Sequence, residues 1–434
     1  MKMTMKAAAA AVMAVCAASA AHAAGFMLTE QSAGALGRAY AGAGVDGTDI
    51  SGVYYNPATM TLHPGTQIQA GFVAVGLDLA FEGTGKYDDV SENGQYNTQA
   101  IPHGYISHQL TDSMWIGLAM TVPFGMGTEY KDDWKLGNRG ISAEVLTFDF
   151  NPNVAWKVSD KLSLGAGMSI QYAAADLKMR QDFEVRGTPG SVDGEVDADS
   201  IAWGFNVGLM WSPLENLRFG LSYRSKINHN ADGDFTFSNG QGAGMMLPVL
   251  GKNFNTPYDA SATISTPAWA MATAAWDVND LLSLYATFRW TDWSSFETLD
   301  IKSDALDIPS VGMGGVKTVE NHWQDTYLVS VGADLRFTNW WTFRAGIGYE
   351  TSAVDDPKYR TAIIPDADRL WLALGSSFKA TENMQIDVSA AWLHGVGERN
   401  LWSTDGSDHK VPEKAGKFED LDAYLFGVQL VYKF

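Results

Sequence analysis

The sequence predicts an all-β protein, a fourteen-stranded antiparallel transmembrane β-barrel with an N-terminal hatch inside it. Three observations lead to this prediction. Segments of about ten residues alternate apolar with small or polar side chains. Short and long connections between these segments alternate strictly. Apart from the extreme N-terminus, no apolar run approaches the roughly 20 residues that a membrane-spanning helix needs.

The charge of the chain excludes one class of function. Its 434 residues include 30 Lys and Arg against 50 Asp and Glu, which gives a net charge of −20. A nucleic-acid-binding protein normally presents a basic face. We therefore expect no nucleic-acid partner.

Residues 1–23 have the pattern of a secretory signal peptide. Two lysines precede an apolar run over 7–18, and Ala21-His22-Ala23 supplies the small residues that a signal peptidase accepts. Cleavage after Ala23 removes Cys16, the only cysteine. The mature chain then has no thiolate for disulfides or metal ligation, and we expect neither a metal ion nor a cofactor.

Residues 66–434 contain the predicted barrel. In the segment from Ile201 to Trp211, for example, large apolar residues alternate with Ala, Gly, Asn and Met. The predicted strands lie near 66–81, 101–110, 114–122, 144–158, 162–177, 198–211, 217–227, 259–276, 281–293, 323–337, 341–353, 368–380, 384–396 and 421–434. The long Gly-, Asp- and Asn-rich connections lie near 82–100, 123–143, 178–197, 228–258, 294–322, 354–367 and 397–420. Alternating tight turns and long loops are typical of an outer-membrane barrel.

Aromatic residues support a membrane barrel over a soluble β-sandwich. A sandwich rarely reaches fourteen strands, and tryptophans near strand ends suit the boundary between headgroups and hydrocarbon. These tryptophans are Trp156, Trp203, Trp211, Trp276, Trp290, Trp293, Trp340, Trp341 and Trp392. The last strand also places Tyr424, Phe426 and Phe434 on one face, and it ends in an aromatic residue.

Residues 24–65 do not continue the strand pattern. This segment is rich in Gly and Ala, too large for a tail and too small for a domain. A segment of this size fits inside a barrel, so we expect an N-terminal hatch over 24–65.

Several motifs together resemble one known family. They are Gly25-Phe26-Met27-Leu28, the run from Leu36 to Gly42, Tyr55-Asn56-Pro57-Ala58, Pro123-Phe124-Gly125, Glu129-Tyr130, Trp134 and Phe150-Asn151-Pro152. In these motifs the chain resembles the long-chain fatty-acid transporter (FadL) family of Gram-negative outer membranes. The resemblance implies a barrel plugged by a hatch that passes hydrophobic molecules inward without an energy source.

The resemblance also implies roles for particular residues. Asn56, Pro57 and Ala58 would form a turn of the hatch, and Phe26 would lie near the bound ligand. Better-studied members of the family offer basic side chains to a fatty-acid carboxylate from the fifth strand onward. This chain has two alanines there before Lys178 and Arg180. The natural ligand therefore stays open among fatty acids, aromatic hydrocarbons and other apolar compounds.

A carrier of apolar molecules needs apolar surface for capture and for binding. Met245, Met246 and Leu247 form an apolar run in an otherwise polar loop, which suits capture. Strand alternation points four further apolar residues into the lumen, as candidates for binding ligand. They are Met210, Leu328, Trp371 and Leu393. Packing on a neighbouring loop, or against the hatch, is the alternative for each group.

A lateral exit is predicted where prolines interrupt three successive strands. Pro102, Pro123 and Pro152 each remove a ladder donor. We expect the wall to open sideways at Pro123, Phe124 and Gly125, with Asn151 and Asn153 lining the gap. The alternative is that prolines are simply tolerated at barrel rims.

The predicted function is passive uptake of hydrophobic molecules, most simply long-chain fatty acids, by a multi-pass outer-membrane protein. The partners are then the ligand, outer-membrane lipid and lipopolysaccharide, and a closed sheet needs no second copy, so we expect a monomer. The rivals are a general porin and an outer-membrane lipid hydrolase, for which the scattered histidines offer no recognisable triad. The acids of 193–199 resemble a calcium loop only partly and predict a solvated acidic loop.

Overall fold

A computed structural model describes residues 25–93, 98–185, 187–309, 313–403 and 413–434. The predicted signal peptide lies outside these residues. Within them, one antiparallel sheet closes on itself, because the first strand of the wall pairs with the last from Gln67↔Lys433 to Gly83↔Gly416. The predicted fourteen-stranded barrel is therefore confirmed. None of the described helices is long and apolar enough to span a membrane.

The described residues form twenty-one strand segments, because several of the fourteen wall strands are broken. The segments are β1 (Thr66–Gly83), β2 (Ser91–Asn93), β3 (Gln99–Thr111), β4 (Met114–Thr121), β5 (Gly125–Glu129), β6 (Ser142–Ser159), β7 (Leu162–Val185), β8 (Thr188–Leu214), β9 (Leu217–Arg224), β10 (Ile227–Gly242), β11 (Tyr258–Thr266), β12 (Trp269–Asp277), β13 (Leu282–Thr291), β14 (Thr298–Ile308), β15 (Met313–Glu320), β16 (Thr326–Arg336), β17 (Trp341–Glu350), β18 (Asp368–Lys379), β19 (Met384–Val396), β20 (Asn400–Ser403) and β21 (Glu413–Lys433).

Side-chain alternation gives the wall an apolar outer face. Phe72, Ile106, Val154 and Leu221 are exposed on the outside, whereas polar neighbours such as Gln69 are buried inside. A barrel can expose this apolar face to hydrocarbon because closure pairs the backbone groups of its strands.

Several predicted features of the strands are wrong. The predicted loops 228–258 and 294–322 contain the strands β10, β14 and β15, and the predicted strand 217–227 is broken after β9. The predicted strand 259–276 is broken between β11 and β12 at Pro267, which has no N–H to donate. The predicted loop 178–197 is instead the extended hairpin of β7 and β8, paired from Leu162↔Trp211 to Val185↔Thr188. The polar residues of this segment favour a loop prediction. Strands can nevertheless continue to pair beyond the membrane, where water solvates the side chains.

Residues 25–65, here called the N-terminal segment, are almost entirely buried against the inner wall. The segment contains α1 (Ala33–Leu36), α2 (Gly52–Tyr55) and a 3₁₀ helix over Pro57–Leu62. Helix α1 begins at Ser32, whose hydroxyl oxygen accepts the Ala35 N–H at 3.0 Å, and it packs on β18, β19 and β21. The core of the protein therefore lies inside the barrel.

Buried charges and a tight turn fix this segment to the wall. Arg38 donates to Asp334 on β16 at 2.9 Å and also pairs with Asp46. Asn56 donates to the carbonyl oxygens of Gly44 and Leu209, each at 3.0 Å. The turn that begins at Asn56 approaches β7 and β8 so closely that a Cβ on Gly165 or Gly208 would collide with it.

Candidate functional site

An aromatic cluster surrounds Phe26 at the start of the N-terminal segment. Its ring is 1% exposed and lies with centroid separations of 4.8 Å from Trp293, 5.8 Å from Phe296, 6.0 Å from Phe124 and 6.1 Å from Trp323. The prediction that Trp293 belongs to a membrane-interface belt is wrong, because its side chain is fully buried in this cluster. Sequence position near a strand end does not reveal which way the chain turns after the strand.

Above Phe26 the outer half of the barrel encloses a narrow apolar cavity of about 70 Å³. Most of its lining is aliphatic or aromatic, and Phe26 and Met126 place it beside the start of β5. The lining residues are Phe26, Met126, Val145, Leu177, Lys178, Met179, Gln181, Gly194, Val196, Phe235, Ile264, Phe296, Leu299, Ile301, Leu306, Lys317, Val319, Asn321, Thr361, Ile363 and Ile364. An apolar cavity with a few polar groups is the usual form of a small-molecule site.

Lys317 on β15 lies where this cavity meets an open vestibule among the outer loops. It lines both spaces, together with Met179, Val319 and Thr361. Within the described part of the chain, its ammonium has no hydrogen-bond or salt-bridge partner. Burial lowers the pKa of Lys317 below the ordinary lysine value, with Asp182 acting in the opposite direction. The mouth of the cavity thus carries a positive charge that Asp182 influences but that forms no direct salt bridge among the described residues.

The basic residues that sequence reasoning singled out are already paired. Lys178 lines the cavity but donates to Asp132 at 2.7 Å. Arg180 pairs with Asp193 at 3.1 Å. The sequence predicts that Asp193 lies in a solvated acidic loop, but in the structure it is buried on β8. Lys317 was missed because nothing in its local sequence distinguishes it from other loop lysines.

The four predicted lumen residues are buried, but none is among the residues that line the cavity. Met210 belongs to a buried cluster with Val45 and Ala58 of the N-terminal segment. Trp371 lies edge-on to Tyr40, with ring centroids 5.8 Å apart. Leu328 and Leu393 are in the same large core cluster as Trp371. The structure thus places Met210 and Trp371 against the N-terminal segment and Leu328 and Leu393 in the buried core.

The predicted capture loop is partly exposed. Met245 and Met246, in a 3₁₀ helix over Ala243–Leu250, are 64% and 42% exposed, and Val249 is 78% exposed. Leu247 is buried and anchors the helix in the core cluster. An apolar patch on the outer loops therefore coexists with a packed anchor.

The wall is interrupted where Pro123 was predicted to open it. The ladder between β3 and β4 ends at Gly104↔Met120, and β5 pairs only with β6 among the described residues. The N-terminal segment occupies the inner side of this break. The Leu28 N–H donates to the Pro123 carbonyl at 2.8 Å, and the Gly125 N–H donates to the Phe26 carbonyl at 2.9 Å.

Four predicted contributors to the gap lie elsewhere. Pro102 and Pro152 remain within continuous strands, paired opposite Phe72 and Leu118. Asn151 and Asn153 do not line the break, as was predicted. Their side chains are buried in the lumen and hydrogen-bond to each other and to Asn206, because β6 alternation turns both inward.

Barrel, internal segment and enclosed apolar cavity together define an outer-membrane protein that transports hydrophobic molecules. The chain belongs to the family described as outer membrane protein transport protein (OMPP1/FadL/TodX), whose model matches residues 14–434. A long-chain fatty acid transport protein of Escherichia coli O6:H1 (strain CFT073) is 27% identical over 435 residues, which cover 95% of this chain and 94% of that protein. Outer membrane protein P1 of Haemophilus influenzae (strain Rd) is 28% identical over 471 residues, covering 96% and 97%.

Solved structures share the fold. A Pseudomonas aeruginosa FadL homologue superposes with a TM-score of 0.84 at 24% identity, covering 95% of this chain and 100% of that one. The Pseudomonas putida toluene transporter TodX gives a TM-score of 0.69 at 17% identity, covering 93% and 99%. Relatives of this kind are transporters and channels rather than enzymes.

Proposed function

We propose that this protein takes up long-chain fatty acids across the outer membrane, and that Lys317 binds the carboxylate while the apolar cavity holds the chain. The observation that carries this proposal is the unpaired ammonium at the mouth of the cavity. A neutral hydrocarbon gains nothing from such a charge, whereas a carboxylate offers it a charge-assisted hydrogen bond. The similarity to fatty acid transport proteins points the same way.

The proposed route has three stages. The exposed side chains of Met245, Met246 and Val249 capture the ligand at the outer loops. The cavity then binds it, with Phe26 at the inner end. The N-terminal segment acts as the hatch, and its displacement from Pro123, Phe124 and Gly125 releases the ligand sideways into the bilayer.

The experiment compares palmitate with hexadecanol, which has the same chain length and no charge. Purified wild-type protein and the Lys317→Met variant are titrated with each ligand in mild detergent. The variant should bind palmitate about 10- to 100-fold more weakly, the magnitude of one hydrogen bond to a charged group, and bind hexadecanol as before. Lys302→Met is the matched control, because Lys302 is exposed on the neighbouring strand β14 and does not line the cavity.

Two results would contradict the assignment. The first is equal wild-type affinity for the acid and the alcohol. The second is unchanged palmitate binding in Lys317→Met. Tight binding of toluene, unaffected by the substitution, would favour the alternative of an aromatic hydrocarbon channel, which the likeness to the toluene transporter raises. A general porin would instead pass small sugars into liposomes.

A further inference from the structure

We propose that Gln31 is the latch that closes the break in the wall. Its side chain hydrogen-bonds to Val122 in place of the neighbouring strand that is missing there. The effect of the latch on transport rests on the lateral route of the proposed function. The latch itself is a claim about which side chain holds residues 122–124, the segment between β4 and β5 that is here called the kink. It can be tested without ligand.

The Gln31 side chain pairs with one residue of the kink as a neighbouring strand would. Its Nε2 donates to the Val122 carbonyl at 2.7 Å, and its Oε1 accepts the Val122 N–H at 3.3 Å. A side-chain amide carries both a donor and an acceptor, so it can satisfy both backbone groups of one residue. Val122 directly precedes Pro123, at the point where the β3–β4 ladder has already ended.

Gln31 also contacts the other edge of the break. Its backbone carbonyl accepts a hydrogen bond from the Tyr105 hydroxyl on β3. One residue therefore joins Val122 to Tyr105 on β3, which pairs with Ala119 one position before the β3–β4 ladder ends. Gln31 and Val122 are both fully buried, so neither can exchange these bonds for water while the break is closed.

Phe124, two residues beyond Val122, has a partner on the wall itself. Thr147 on β6 donates its hydroxyl to the Phe124 carbonyl and accepts the Phe124 N–H, both at 2.9 Å. This bond lies within the wall and moves with it. The Gln31 bonds instead join the wall to the N-terminal segment, so they must break when that segment withdraws. A buried backbone group left without a partner is costly, and the amide of Gln31 therefore favours the closed state.

The first test is hydrogen exchange of the peptide that contains Val122, measured by mass spectrometry on the folded protein without ligand. Gln31→Met keeps the length of the side chain and removes both bonds, and exchange of this peptide should become about tenfold faster. Gln31→Glu retains an acceptor for the Val122 N–H but has no donor for the Val122 carbonyl. The exchange rate of its Val122 peptide should lie between those of the wild type and Gln31→Met. Heat-modifiable migration verifies that each barrel has folded.

Thr287→Val is the matched control. Thr287 on β13 makes a similar double contact with the N-terminal segment, accepting the Gly42 N–H at 2.9 Å and donating to the Tyr40 carbonyl at 3.1 Å. Its removal should leave the Val122 peptide unchanged. The latch is wrong if Gln31→Met exchanges at the wild-type rate, or if Thr287→Val accelerates the same peptide equally.

A second variant separates the latch from the transport route. Met27 and Phe124 face each other in an antiparallel bridge, and the only native cysteine lies in the predicted signal peptide. A Met27→Cys/Phe124→Cys disulfide should hold the segment on the kink and stop fatty-acid uptake until it is reduced. Undiminished uptake by the oxidised protein, beside faster exchange in Gln31→Met, would overturn the lateral route and leave the latch standing.

Discussion

Replacing Phe26 by alanine tests whether the aromatic cluster forms the inner end of the ligand site. The ring contributes both to the stability of the protein and to ligand affinity, because it packs on four aromatic rings and also lines the cavity. Aromatic pairs contribute about 0.5–1.5 kcal/mol each and do not add fully. We therefore expect Phe26→Ala to lower the free energy of unfolding by about 3 kcal/mol, at the lower end for a buried Phe→Ala change, because the new space opens into an existing cavity.

The effect on binding is separate from this loss of stability. Removal of the ring takes away apolar contact worth about 1–3 kcal/mol, so palmitate should bind about 10- to 100-fold more weakly to the folded variant. Titration in detergent measures the affinity, and transport of labelled palmitate into cells measures uptake.

Phe81→Ala is the control for Phe26→Ala. Phe81 is also 1% exposed and packs on Trp134 and Phe418 at 5.4 and 5.3 Å, but it belongs to a different buried cluster and does not line the cavity. This variant should lose comparable stability and keep its affinity. Wild-type affinity and uptake in Phe26→Ala, or an equal loss of affinity in Phe81→Ala, would refute the assignment.

Three further predictions concern the N-terminal segment and the cavity mouth. Asn56→Ala removes three side-chain hydrogen bonds of about 1 kcal/mol each, so transport should fall while heat-modifiable migration still reports a folded barrel; failure to assemble would make Asn56 a folding residue instead. Arg38→Met removes the cation that pairs directly with buried Asp46 and leaves Asp334 with only Arg344, at 3.6 Å, so calorimetry should show a loss of about 3–5 kcal/mol of stability; an unchanged unfolding temperature would contradict this. Palmitate affinity should fall as pH rises through the pKa of Lys317, which lies below the ordinary value near 10.4, because only the protonated amine attracts a carboxylate; hexadecanol titrated over the same range should show no such fall.

A bulky residue at Gly125 would not fill the break from the lipid side. A Cβ at this position would lie 3.0 Å from the Leu28 side chain, in the N-terminal segment. Such a substitution would therefore push the segment away from the kink. The disulfide between positions 27 and 124 is the cleaner way to hold the wall closed.

The sequence by itself determined the barrel and its number of strands. Strand periodicity is local, since neighbours two residues apart share a face, and alternating loop lengths report which end of the barrel each connection occupies. The apolar outer face seen at Phe72, Ile106 and Val154 follows directly from that periodicity. Proline by itself did not determine the break, because Pro102 and Pro152 stay within paired strands while the ladder stops before Pro123.

Only the tertiary structure decided which residues form the site. Phe26, Trp293 and Lys317 are far apart in sequence, and their meeting depends on how the N-terminal segment and the outer loops fold over the barrel. Trp293 looked like an interface residue, and Lys317 looked like any surface lysine, because burial and the lack of a direct salt-bridge partner are properties of the surroundings. Nothing in the local sequence sets Gln31 apart from other glutamines, because its role depends on its contact with Val122, far along the chain. Inward or outward orientation is encoded locally, but what an inward side chain contacts depends on residues from distant parts of the chain.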